Sequence, residues 1–145
     1  MSRPRLLIAD GDRMFTHALA GLAESLGFTA AVVSDGAGLQ ACFDSFAPDV
    51  LAFEVFLQEV DGLEMIAWLG DRGWQSPTLI FTGRGPQYLR AAEGILALHG
   101  LDFAEVFQKP LDRSRVGAAL EQAVRAIQSP IERGGAPAGA LERAP

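Results

Sequence analysis

The sequence predicts an α/β fold in which a five-stranded parallel sheet is wound on both faces by helices. Three observations carry this. Five short apolar, β-rich runs alternate with five stretches of helical periodicity. Several runs are almost continuously apolar, as strands covered on both faces must be. The connections are short, and strict βα alternation with short links implies parallel strands joined by right-handed crossovers.

The strand runs fall at 5–10, 28–34, 48–54, 78–82 and 102–108. Between them Phe15, Leu19, Leu22 and Leu26 stand at helical spacing, as do Leu39 and Phe43, then Ile66 and Leu69. Leu89, Ala92 and Leu96 mark a long fourth helix at about 86–99, and Val116, Leu120, Val124 and Ile127 mark the fifth. Gly27 and Gly100 stand where helices should stop, because glycine takes the left-handed C-terminal conformation without steric cost.

The 145 residues make one domain's worth of chain, assigned to 1–128. Residues 129–145, rich in glycine, alanine and proline, show no periodic apolar face and are expected to be a flexible tail or linker. Hydrophobic residues make up 49%, yet no run approaches the roughly 18–20 apolar residues of a membrane span. The four apolar residues before Asp10 are too few for a signal-peptide core. A single cysteine, Cys42, rules out an internal disulfide and suits a reducing cytoplasm, where the protein is expected. The net charge is −6 and the arginines are scattered among acids, so nucleic acid is not an expected partner.

In parallel α/β sheets the working site lies beyond the carboxyl ends of the strands. Strand one ends at Asp10-Gly11-Asp12, strand three at Glu54, strand four at Thr82 and strand five at Lys109-Pro110. Carboxylates, a hydroxyl and an ammonium converging on one crevice suit a divalent cation and a phosphoryl group. Each residue also has a plain structural explanation. Asp12 makes a good helix N-cap, Asp61-Gly62 a turn before a helix, Thr82 an ordinary strand residue and Lys109 a solvated lysine.

The set resembles the receiver domain of response regulators in two-component signalling, CheY-like in kind. Leu6-Leu7-Ile8-Ala9-Asp10-Gly11-Asp12 is similar to its first strand and acidic cluster. Pro48-Asp49-Val50-Leu51-Ala52-Phe53-Glu54 is similar to the strand that ends in the phosphoacceptor. Asp61-Gly62-Leu63-Glu64, the strand Pro77–Thr82 with its switch hydroxyl and the Lys109-Pro110 pair, commonly joined by a cis bond, complete it over about 5–128. The resemblance implies a flavodoxin-like three-layer sandwich with strand order 2-1-3-4-5. It assigns Glu54 to the phosphoacceptor position, Asp10 and Asp12 to the acidic pocket, Thr82 to the switch and Lys109 to phosphate pairing. The length of the fourth helix and its Leu98-His99-Gly100-Leu101 ending are similar to receivers found with EAL-type cyclic-di-GMP phosphodiesterases.

The departures are chemical. Glu54 stands where the family has aspartate, and Gly11 where it has a direct magnesium ligand. Val106 falls where many receivers carry an aromatic switch residue. The extra methylene pushes the Glu54 carboxylate about 1.5 Å outward, into the space of an incoming phosphoryl. A misplacement of about 1 Å costs roughly a hundredfold in rate. The expectation is therefore a pseudo-receiver, not an enzyme, that takes no phosphoryl group. It would need no cofactor beyond weak magnesium binding at Asp10 and Glu54. Glu54 would either reach Lys109 or Thr82, imitating part of the phosphorylated state, or be merely solvated. Function would then lie in protein contacts, with a histidine kinase or an EAL-type signalling protein as partner and a homodimer open. By the resemblance those contacts would lie on the face of helix four, strand five and helix five. The candidates there are Tyr88, Val106 and Arg113, with Leu89, Arg90, Arg115 and Gln122 beside them, although Leu89 and Val106 also read as core.

The alternatives are a receiver that is phosphorylated after all and a small haloacid-dehalogenase-like phosphatase. In the latter Asp10 would be nucleophile and Asp12 the general acid–base. Against it, Met14 stands where that family expects a small threonine or valine, and Leu111-Asp112-Arg113 is a poor match to its last acidic motif. A flavodoxin-like nucleotide binder would rest on fold alone, because the first loop has no phosphate-cradling run of glycines.

Overall fold

Each strand of the sheet repeats one instruction: alternate residues go to opposite faces. Leu6, Ile8, Val50, Ala52, Leu79, Phe81 and Phe107 share one buried layer, and Leu7, Ala9, Leu51, Phe53, Ile80 and Val106 share the other. The computed structural model describes residues 2–128, and the expected tail at 129–145 lies outside them. Its elements run β1 Arg5–Ala9, α1 Arg13–Ser25, β2 Thr29–Val33, α2 Gly36–Phe46, β3 Val50–Glu54, α3 Gly62–Asp71, β4 Thr78–Thr82, α4 Pro86–Leu98, β5 Ala104–Gln108 and α5 Arg113–Gln128. All strand pairs are parallel, in the order β2-β1-β3-β4-β5. This is the expected architecture, with four of the strands shorter by one or two residues where the flanking residues leave the ladder and β4 as expected.

The first layer is closed by α1 and α5, through Phe15, Leu19 and Leu22 from one and Val116, Leu120 and Ala123 from the other. The second is closed by α2, α3 and α4, through Leu39, Met65, Ile66, Leu69, Ala92 and Leu96. Among the described residues no helix is long and apolar enough to cross a membrane.

The helix ends follow local chemistry. Asp12 caps α1 through Phe15 N, and Asp35 caps α2 through Gly38 N. Asp61 and Glu64 form a reciprocal capping box at α3. Gly27 and Gly100 carry φ of +96° and +73°, as their stop positions require. Two other glycines are fixed by close approach. A Cβ on Gly62 would lie 2.5 Å from Val55 Cα, and one on Gly36 would collide with the Val60 carbonyl. These contacts seat the loop 55–61 against the starts of α2 and α3. Gly62 N also donates to Val55 O at 2.7 Å.

Val106 is corrected by the strand alternation. It points under α4 into the layer of Ala92 and Leu96 and is 5% exposed, so it is core and presents nothing to a partner. Tyr88 is 36% exposed, and Arg113 is also on the surface.

Candidate functional site

Register brings the strand-end residues together. Ala9 pairs with Phe53, so Asp10 and Glu54 follow side by side. Thr82 pairs with Gln108, which puts Lys109 one step beyond, and Lys109 N donates to Thr82 O at 2.8 Å. The Lys109–Pro110 bond is cis.

Lys109 Nζ lies 2.8 Å from Glu54 Oε1 and 2.9 Å from Asp10 Oδ2, with its side chain 16% exposed. The remaining oxygens are also engaged. Asp10 Oδ1 accepts from Asp12 N at 2.9 Å, and Glu54 Oε2 accepts from Phe56 N at 3.2 Å. Both Glu54 oxygens and Asp10 Oδ1 thus have donors. The contact at Asp10 Oδ2 is an ion pair without hydrogen-bond alignment, and that buried oxygen has no hydrogen bond. Beneath the ammonium, the Phe15 ring centroid is 4.4 Å away, close enough for a cation–π attraction. Burial works against the charge of Lys109, but Glu54 and Asp10 outweigh it, and its pKa is raised above the ordinary 10.5.

The expected residues meet in part. Asp10, Glu54 and Lys109 form one cluster. Glu54 is 9% exposed and bound to Lys109 rather than solvated. Thr82 is fully buried, and its Oγ1 accepts from Arg84 N at 3.1 Å. Asp12 is on the crevice wall, but its Oδ1 is spent on the cap of α1. Gly11 has room for a side chain, since a Cβ there would meet only Ser34 O at 3.6 Å. Among the described residues no group of three or more His, Cys, Asp or Glu is disposed to hold a metal ion. The crevice above the cluster, about 500 Å³, is walled by Asp10, Asp12, Glu54, Phe56 and Arg84 among others.

Sequence reasoning missed Phe15, Phe56 and Arg84. The last two had a signal. Phe56 stands two residues past Glu54 and Arg84 two past Thr82, the same step beyond neighbouring strand ends.

No protein-family model matches the chain. A stretch of 80 residues is 32% identical to the transcriptional regulatory protein TrcR of Mycobacterium tuberculosis, covering 55% of this chain and 31% of that protein. The response regulator MprA of Mycobacterium ulcerans is 31% identical over 80 residues, covering 55% of this chain and 34% of its own. The chain's match thus spans about a third of the length of these relatives. Among solved structures, the signal receiver domain of an HD domain-containing protein from Pseudomonas fluorescens superposes with a TM-score of 0.74 at 22% identity, over 88% of this chain and 98% of that one. A two-component response regulator from Clostridium difficile gives 0.72 at 21%, over 88% and 100%. The chain has the CheY-like fold of response-regulator receiver domains, and its sequence is similar to response regulators over more than half its length.

Proposed function

We propose that this chain is a receiver domain of two-component signalling that takes no phosphoryl group and acts through protein contacts. One observation supports this most: both oxygens of the Glu54 carboxylate already face donors, Lys109 Nζ and Phe56 N, and the same ammonium lies against Asp10. A phosphoryl acceptor needs an oxygen free to attack in line and a metal to neutralise the developing charge. Here the ammonium lies against both carboxylates, and Gly11 supplies no further ligand. Magnesium binding is therefore weak in this reading. The Glu54–Lys109 pair is a permanent one-charge imitation of a contact that a phosphoryl would make with nearly two charges.

The partner is a signalling protein. A histidine kinase is one candidate, and the 13-residue α4 keeps an EAL-type phosphodiesterase as another. Treatment with acetyl phosphate and magnesium, followed by intact-mass spectrometry under mild conditions, tests the reading. No 80-Da adduct is expected beyond a mock-treated control. A stable adduct on Glu54 would overturn it.

A further inference from the structure

We propose that Phe56, Arg84 and Tyr88 form a strap that couples the carboxylate at position 54 to the first turn of α4. The Phe56 N–H is held by Glu54 Oε2, so the placement of this loop residue depends on the carboxylate. The Phe56 ring in turn takes the Arg84 guanidinium at 4.1 Å and meets the Tyr88 ring edge to face at 5.2 Å. The same guanidinium lies 5.8 Å from the Tyr88 centroid. Arg84 is also anchored through its backbone: its N–H donates to Thr82 Oγ1 and its carbonyl accepts from Gln108 Nε2 at 2.6 Å. One residue thereby ties together the ends of β3, β4 and β5 and the start of α4.

The strap stands where a helix cap is absent. α4 begins at Gly85, which offers no side-chain cap, whereas α1, α2 and α3 each begin with a capping aspartate. Its first turn is held instead by Tyr88 leaning on Phe56. Both rings are 36% exposed, so the stack is held more by the cation and the ring edge than by burial. Such a contact opens easily, which suits a coupling element better than a core contact would. The inference does not rest on the absence of phosphotransfer, since a strap of this kind would act on any change at residue 54.

Amide hydrogen exchange of residues 88–92 tests it in the parent, Phe56→Leu, Arg84→Gln, their double variant and Glu54→Ala. Phe56→Leu keeps an apolar side chain but loses the ring, and Arg84→Gln loses the cation but keeps both backbone bonds. Each should speed exchange in these amides about two- to fivefold, the factor expected for an exposed cation–π contact. The double variant should be no faster than the faster single. Glu54→Ala removes the acceptor of the Phe56 N–H and also unpairs Lys109, so it should speed the same amides beyond the change in β1 in the parent, but by no more than the change in β1 in the Phe56→Leu background. Exchange in β1 reports global stability and should stay unchanged in the two surface variants. Unchanged exchange at 88–92, additive effects of the two surface variants, or a Glu54→Ala effect at 88–92 exceeding that in β1 that survives Phe56→Leu would each overturn the strap.

Discussion

Replacing Lys109 with methionine would leave Asp10 and Glu54 side by side in the crevice without the cation they share. The side chains are 16% exposed for Lys109, 4% for Asp10 and 11% for Glu54, so water can do little to compensate. Removing one partner of such a buried cluster costs about 3–5 kcal/mol, because the remaining charge is neither solvated nor paired. The exposed pair Arg72–Asp44 supplies the contrast. It has the same 2.8 Å separation, but its side chains are 42% and 83% exposed, and Asp44→Ala should cost only about 0.2–1 kcal/mol. Urea unfolding of both variants at pH 7 measures the difference. In the parent the pH dependence lies at the alkaline end. The raised pKa of Lys109 means its contribution is fully present below about 10.5 and is lost as pH rises through the higher folded value. A loss below about 1 kcal/mol at pH 7 would refute the view that this cluster is buried and interdependent.

Three further outcomes follow from the same geometry. The double variant Gly11→Asp, Glu54→Asp should bind magnesium and accept a phosphoryl from acetyl phosphate, since Gly11 has room for a side chain and Thr82 and Lys109 are in place; titration calorimetry and intact mass read both. Gly62→Ala should lose about 1–3 kcal/mol in urea unfolding from overpacking against the Val55 backbone, while Gly11→Ala should change stability by less than about 0.5 kcal/mol. If contacts lie on the face of α4, β5 and α5, Arg113→Glu and Tyr88→Ala should weaken self-association or partner capture in sedimentation and pull-down. Val106→Ala should act only through stability, because Val106 is core.

The fold was legible because the chain states it redundantly. Apolar runs such as Leu6–Ala9 and Val50–Phe53 need cover on both faces, and stripes such as Phe15, Leu19 and Leu22 supply it. Site positions were legible through register, since a parallel sheet delivers consecutive strand ends to one edge. What each side chain does there was less so. Whether Asp12 capped a helix or faced a ligand depended on one hydrogen bond to Phe15 N, and sequence alone cannot weigh that bond. Val106 was open between core and interface because its place in the family pattern says nothing of burial, and the cover of α4 over its face settles it as core. The Phe56–Arg84–Tyr88 stack was hidden because its members come from two loops and a helix start, separated by up to 32 positions (from 56 to 88), with no periodicity linking them.

The α1 and α5 layer sets a timetable for a chain emerging from the ribosome. β1, β2 and β3 are all made within the first 54 residues, and their order in the sheet allows them to pair early. The layer above Leu6, Ile8, Val50 and Ala52 is nevertheless roofed at one side by the first helix and at the other by the last. Until Val116, Leu120 and Ala123 emerge, half of that layer faces water, and such transiently exposed apolar surface is what chaperones bind and what aggregates grow from. A chain cut short before α5 should therefore collect as a sticky, incompletely closed sheet. The sixteen residues of α5 decide whether that face of the sheet is closed.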